Sequence, residues 1–195
     1  MTISQLTSLP EAVPVPDEDA PLVQQAQQDM RAFSLLYQRH VQKVYRYLLV
    51  RLGNEQDAQD LTSQTFLTAM ERLHTYRGQG RFPAWLLGIA RHKLADRYRR
   101  QKPELLLDTA VSLPDADDAP DDIIDRRLRV EVVARKLQTL APDRAEALSL
   151  RLFAGLDVSE IAVMMGKNEA AVRMLVFRGM RDLQAQLGDD LEEQS

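Results

Sequence analysis

Residues able to do covalent chemistry are scattered along this 195-residue chain. His40, His74 and His92 fall on three different predicted helical segments, without the spacing that brings ligands to one metal. Cysteine is absent, which excludes disulfides, thiolate nucleophiles and cysteine-based zinc sites and suits a reducing cytoplasm. The chain has no phosphate-binding glycine loop and no nucleophile elbow. Asp57 and Asp60 read as helix-start charges, favoured by the helix dipole, rather than as an acid–base pair. No catalytic residue, metal or cofactor is expected, and the chain does not read as an enzyme.

The informative patterns are ones of recognition. Aromatic and basic side chains alternate through Tyr76, Arg77, Arg81, Phe82, Trp85, Arg91 and Tyr98. Basic grooves with stacking surfaces hold single-stranded nucleic acid. Gly78 and Gly80, on either side of Gln79, let the backbone approach a base closely. Tyr76, Arg77 and the distal arginines are expected to face the ligand, and Trp85 to pack inside. Arg91, His92, Lys93, Arg97, Arg99, Arg100 and Lys102 make one side of the following helix strongly basic. A second pattern runs from Asp157 to Arg181: a short helix, a turn at Gly166, and a longer helix. This spacing fits a helix-turn-helix, whose second helix enters the DNA major groove. Ile161, Ala162, Val172, Leu175 and Val176 pack it, leaving Asn168, Glu169, Ala170, Arg173, Met174, Phe177, Arg178 and Arg181 on the outside. Arginine can read guanine or bind phosphate, and apolar groups can meet the thymine methyl. A third stretch, Asn54 to Thr62, reads on its own as a solvated helix face.

These features need helices to position them. Apolar steps of three and four from Phe33 to Leu52 (Phe33, Leu36, Tyr37, Val41, Val44, Tyr45, Leu48, Leu49, Leu52) predict one helix with a single buried face. Gly53 stops it, and Asn54 caps a second helix that buries Ala58, Leu61, Thr65, Phe66, Ala69, Met70 and Leu73. Pro83 sits in the first turn of a third helix. Pro142 opens a helix that Gly155 breaks, and Asp157 to Glu160 is a capping-box pattern. No strand alternation persists, so the fold class is all-α: two small helical domains. The organisation expected is a flexible tail over 1–25, a first domain over 26–102, an acidic linker over 103–124, a second domain over 125–188 and an acidic tail over 189–195. Charge is segregated accordingly: residues 31–102 carry 14 Lys/Arg against 5 Asp/Glu, and residues 103–128 carry 8 acids against 2 arginines. A basic block inside an acidic protein points to one polyanion partner at one place. No run of residues is apolar enough for a membrane span and the N-terminus has no secretory pattern, so neither direct membrane insertion nor export is expected.

In order and length, residues 27–188 resemble the sigma-70 family of bacterial RNA polymerase sigma factors, and within it the small extracytoplasmic-function subfamily. The likeness is carried by Phe33-Ser34-Leu35-Leu36-Tyr37, Leu52-Gly53-Asn54 with Asp57-Ala58-Gln59-Asp60-Leu61-Thr62, Phe66, and Phe82-Pro83-Ala84-Trp85-Leu86-Leu87-Gly88-Ile89-Ala90-Arg91. It continues through Asp96, Arg99-Arg100, Leu140 to Pro142, Ala147-Leu148, Arg151-Leu152-Phe153, Gly155-Leu156, Glu160-Ile161-Ala162, Gly166 and Val172-Arg173. The resemblance implies that the first domain is sigma region 2, a three-helix-type bundle, and the second is region 4. It implies that the second helix docks on the clamp helices of the polymerase largest subunit through Asp57, Asp60, Leu61, Gln64, Thr65 and Thr68. Tyr76, Arg77, Gln79, Arg81, Arg91, His92, Lys93, Arg97, Arg99 and Arg100 would capture the melted −10 element with a base extruded. Ser159, Asn168, Glu169, Ala170, Arg173, Met174, Phe177, Arg178 and Arg181 would read the −35 duplex, and the second domain would also meet the polymerase flap. An anti-sigma factor is a further implied partner. The chain departs from the family pattern at His92, where Asn is frequent, and at Ala170-Ala171, where Gly-Thr is frequent. The alternative function is a stand-alone helix-turn-helix regulator, which would bind duplex tightly without polymerase.

Overall fold

The structure, a computed structural model, describes residues 17–78, 80–101 and 132–192. The first unit is built from α1 (Ala20–Gln28), α2 (Phe33–Leu52), α3 (Glu55–Arg72) and α4 (Phe82–Gln101), with single 3₁₀ turns at Met30–Ala32 and Leu73–Thr75. The second comprises α5 (helical over 132–139), α6 (Pro142–Leu152), α7 (Val158–Met165) and α8 (Glu169–Glu192). Among the described residues no strand occurs, as the apolar spacing predicts. The segment read as a linker over 103–124 lies outside the described residues.

Local chemistry sets the helix boundaries. Gly53 closes α2 in the left-handed region at φ 69°, its N–H donating to Leu49 O at 2.8 Å. Asn54 Oδ1 then accepts the Asp57 N–H at 2.9 Å and caps α3, so α2 and α3 fold back on each other through two residues. The α4 helix packs across both through Phe82, Leu86, Leu87, Ala90 and Leu94, all buried.

Two boundaries differ from the sequence reading. The segment assigned to a tail over 1–25 is helical from Ala20, because Val23 and Ala26 bury against the core and Pro21 occupies the helix's first turn. At the other end, α8 runs on to Glu192, into the segment read as an acidic tail over 189–195.

The expected single apolar face of α2 is also incomplete. Tyr37 is exposed, whereas Tyr47 and Val50, which that pattern omits, are fully buried. The reason is tertiary: α2 is covered by α3 and α4 and also by α6 of the second unit. Val50 joins Leu137, Leu140, Ala145, Leu148 and Leu183 in one apolar cluster. Ala147, Leu150, Ile161 and Val172 join the core of the first unit. The two units therefore share buried apolar surface.

At that seam lies a buried carboxylate, Glu146, 8% exposed. Its Oε1 accepts the Tyr47 hydroxyl at 2.9 Å and lies 3.2 Å from Arg91 Nε, while Oε2 lies 3.4 Å from an Arg51 nitrogen. Burial, and secondarily the Glu146 charge, pushes the Tyr47 hydroxyl well above its ordinary pKa, so it remains a donor.

A second buried polar group, His40, ties α2 to the start of α1. Its Nε2 lies 2.7 Å from Asp19 Oδ2, and Arg39 holds the other oxygen at 2.8 Å. His40 Nδ1 is buried without a partner, so a second proton there would be unsatisfied. Burial lowers the imidazole pKa below the usual 6.5 despite the Asp19 charge. As pH falls below 6.5 the unfolded chain takes up the proton first. Stability is thus full above that pH and is lost as pH drops through the lower folded-state value. Urea unfolding at pH 7.5 and 5.5 should show a decline at the lower pH, and His40→Gln should make that decline shallower.

Candidate nucleic-acid interface

The basic face expected on α4 divides into residues that reach solvent and residues that reach the second unit. Arg77, His92, Arg99 and Arg100 are exposed and Lys93 is half-buried. Arg99 pairs with Asp96 one turn back, and that hydrogen bond holds the Asp96 carboxyl below its usual range. Arg97 is half-buried and pairs with Asp57 in the first turn of α3. Gln79 lies outside the described residues.

Arg81 and Arg91, expected to face a ligand, instead grip the two ends of α7. Arg81 Nε donates to Glu160 Oε1 at 2.7 Å, and its Nη2 donates to Asp157 Oδ2 at 3.0 Å. Asp157 and Glu160 form the capping box at the start of α7: Asp157 Oδ1 accepts the Glu160 N–H at 2.9 Å, and Glu160 Oε2 accepts the Asp157 N–H at 3.0 Å. Partial burial opposes the Asp157 charge, yet the Glu160 N–H, the Ser159 hydroxyl and Arg81 outweigh it and hold the carboxyl below its ordinary range. Arg91 Nη1 donates to Met164 O at 2.9 Å, at the negative end of α7. Ten residues on a helix span about 15 Å and the eight of α7 about 12 Å, so α4 runs alongside α7 and each arginine meets the end whose chemistry suits it.

Tyr76 corrects the expectation that it faces a ligand. It is 8% exposed, with its ring packed on Phe82 and Trp85 at centroid distances of 5.8 and 5.3 Å. Its hydroxyl donates toward Asp17 Oδ2 and Gly80 O. Trp85 is half-buried, close to the expected interior place. Among the described residues of the loop, Arg77, Gly78 and Gly80 remain outward, with both glycines at positive φ (71° and 87°).

In the second unit the expected motif is present. Gly166 stands at φ 64°, with its N–H on Val163 O at 3.2 Å and the Lys167 N–H on Ala162 O at 2.9 Å, a Schellman closure of α7. Asn168 Oδ1 accepts the Ala171 N–H at 2.8 Å and starts α8. Val172 is fully buried, and Leu175 and Val176 pack partly beside it. Ala170, Arg173, Met174, Phe177, Arg178 and Arg181 form an exposed stripe, with Phe177 63% exposed. Asn168 and Ser159 are exposed beside it; Ser159 Oγ donates to Asp157 Oδ1 at 2.7 Å. Half-buried Glu169 pairs with Arg173 at 2.5 Å, a surface pair of little net strength.

On α3, two of the expected docking residues point inward. Leu61 is buried, and Thr65 is fully buried with its hydroxyl donating to Leu61 O at 2.6 Å, because both lie on the stripe that packs the helix. Asp60 and Gln64 are exposed, and Asp57 and Thr68 half-buried. Leu67, which the sequence reading missed, is 56% exposed on the same side. Its position three residues after Gln64 and seven after Asp60 is the signal that could have found it. Asp17, Gln27 and Glu146 were also missed; the first two lay in or beside the segment read as a tail.

Among the described residues no group of His, Asp and Glu side chains could hold a metal ion, and no helix is long and apolar enough to cross a membrane.

Comparison with known proteins matches this geometry to families. The sigma-70 region 2 model covers residues 36–104 and the sigma-70 region 4 model covers residues 131–183. The chain is 38% identical over 173 residues to the ECF RNA polymerase sigma factor BldN of Streptomyces coelicolor, spanning 87% of this chain and 66% of that protein's length. It is 30% identical over 188 residues to the RNA polymerase sigma-H factor of Pseudomonas aeruginosa, spanning 91% of this chain and 97% of that one. Among solved structures, CnrH in complex with the cytosolic domain of CnrY is similar at a TM-score of 0.66 and 26% identity, covering 88% of this chain and 98% of CnrH. Two helical units in this order, with a helix-turn-helix in the second, together with these matches establish that the chain belongs to the extracytoplasmic-function subfamily of the sigma-70 family, the sigma factors that bind RNA polymerase and direct it to promoters.

Proposed function

We propose that the two units divide promoter recognition between unpaired and paired DNA while α3 docks on core polymerase. The observation that carries this reading is the outward stripe Ala170, Arg173, Met174, Phe177, Arg178 and Arg181 behind a three-residue turn. Arginines there suit guanine edges and phosphates, and Met174 and Phe177 suit thymine methyls, as a −35 duplex presents them. The loop at 76–81 and exposed Arg77, His92, Arg99 and Arg100 suit a melted −10 strand. Asp60, Gln64 and Leu67 make the α3 face that fits the clamp helices of the largest subunit, and the second unit would also meet the flap. The chemistry of transcription stays with the polymerase, so this chain acts without catalysing, in the cytoplasm where the polymerase works. CnrH is solved with the cytosolic domain of CnrY, and an anti-sigma factor is a fitting partner here as well.

This reading requires the units to separate. Arg81 and Arg91 belong to the −10 set, yet Asp157, Glu160 and Glu146 occupy them. Phosphates can take the place of these carboxylates only once α4 and α7 part. Polymerase docking and promoter DNA together would supply the driving force.

In vitro transcription with core enzyme over a promoter library tests the whole reading; absence of sequence-dependent initiation and of a complex with core would overturn it. Tight duplex binding without polymerase would favour the stand-alone regulator. Arg99→Ala with Arg100→Ala should slow promoter opening about tenfold while leaving core affinity within about twofold. Leu67→Asp should do the reverse, weakening core binding about tenfold without lowering the melting temperature of the free protein, since the side chain is largely exposed. Glu160→Gln keeps the capping box but removes the charge facing Arg81. Without polymerase, it should raise affinity for a single-stranded oligonucleotide about threefold, the size of one part-exposed ion pair.

A further inference from the structure

We propose that Asp17 is the positioning residue of the loop that joins α3 to α4: one carboxylate oxygen fastens the loop at its entry and its exit. Asp17 Oδ2 accepts the Tyr76 hydroxyl at 2.8 Å and the Phe82 N–H at 3.0 Å. Tyr76 is the first residue after the 3₁₀ turn, and Phe82 is the first residue of α4. The seven residues from Tyr76 to Phe82 thus begin and end on the same atom.

Three further contacts support the fastening. The Tyr76 hydroxyl also lies 2.7 Å from Gly80 O, inside the loop, so its single hydrogen is shared between the carboxylate and that carbonyl. Gln27, on α1, donates through Nε2 to Leu73 O at 2.9 Å and Tyr76 O at 3.0 Å, fixing the turn that leads in. Asp19, two residues on from Asp17, is anchored by Arg39 and His40, so the segment carrying the Asp17 carboxylate is itself held. Burial first, then the Asp17 hydrogen bond, raises the Tyr76 pKa, keeping the hydroxyl protonated as a donor.

Such a fastening matters because two residues of the loop are glycines. Gly78 and Gly80 stand at positive φ, where a side chain would be strained, and a Cβ on either would meet nothing within 4 Å. The glycines therefore serve backbone conformation beside open space, and glycine loses the most freedom on being fixed. Holding both ends limits that freedom before any ligand arrives, which lowers the ordering cost of binding. Asp17 also satisfies the first free N–H of α4 with a negative charge at the favourable helix end. It touches no DNA in this account; it acts through Tyr76 and Phe82.

The inference rests on the reading of this loop as the pocket for an extruded −10 base. The experiment uses the full chain with core polymerase on a promoter selected by library transcription, with 2-aminopurine at the extruded position. Asp17→Ala should reduce the fluorescence rise on opening about tenfold, the size of one charge-assisted hydrogen bond, with core affinity within about twofold. Asp17→Asn, whose amide oxygen still accepts, should recover most of the signal. In the free protein, hydrogen exchange at the Arg77 to Phe82 amides should quicken in Asp17→Ala while α2 and α3 keep their protection. The proposal is overturned if Asp17→Ala opens like the unmodified chain while a loop variant, Gly78→Val with Gly80→Val, is impaired. It is overturned also if Asp17→Ala loses core affinity in parallel with opening, or if exchange quickens throughout the unit. If the loop variant itself opens normally, the reading of the loop fails instead.

Discussion

The arrangement of this molecule depends on one buried carboxylate between its two units. Glu146 is enclosed, and a carboxylate buried there is costly unless donors meet it. Tyr47, Arg51 and Arg91 supply them, all from the first unit. The seam therefore has a fixed register: only one placement of α6 on α2 lets three donors converge on two oxygens. Apolar burial around Val50, Leu148 and Leu150 gives the contact its adhesion, and Glu146 gives it its position. The pairing of α4 with α7 follows, because that register brings Arg81 and Arg91 to opposite ends of one short helix.

What could be read from the sequence was what local chemistry decides. Gly53 with Asn54, Pro83, the Asp157 to Glu160 box, and Gly166 with Asn168 all occupy the places their residue types dictate. The helix-turn-helix stripe was legible because Val172 and its neighbours leave only one side free. Tertiary decisions were less visible. Tyr47 and Val50 lie off the main stripe of α2 and are buried by a helix about a hundred residues away. Tyr76 reads as a stacking surface by type and neighbours, yet a carboxylate 59 residues earlier draws it inward. Family likeness makes Leu61 and Thr65 docking residues, although the same apolar spacing that defines α3 places them inside. The helix α1 was hidden by composition: of its nine residues only Val23 and Ala26 are buried, and four are glutamines, one of which, Gln27, holds the turn that follows α3.

The charge map gains meaning from the structure. Residues 31–102 carry a large excess of positive charge, but the structure spends part of it internally, on Asp57, Glu146, Asp157 and Glu160. In the loop and along α4, Arg77, His92, Arg99 and Arg100 stay outward, and elsewhere in the first unit Arg31, Arg39, Lys43, Arg46 and Arg72 are exposed. A polyanion approaching from solvent meets a weaker field than the composition suggests. Three of the four acids that lower the field, Glu146, Asp157 and Glu160, sit on the second unit, so the charge that the first unit presents depends on the position of the second.

The shortness of α7 has a consequence for how the second unit would behave if the two units parted. Eight residues are too few to persist as a helix without support, and much of the support here comes from outside it: Arg81 at one end, Arg91 at the other, and a buried side against α6 and α8. Parting the units removes both arginines at once. The helix that orients α8 is then held by its own caps and by its two remaining neighbours, and is more compliant than in the closed form. The scaffold that covers α7 is thus also its mould, and a second unit parted from the first would be more pliable than the closed form.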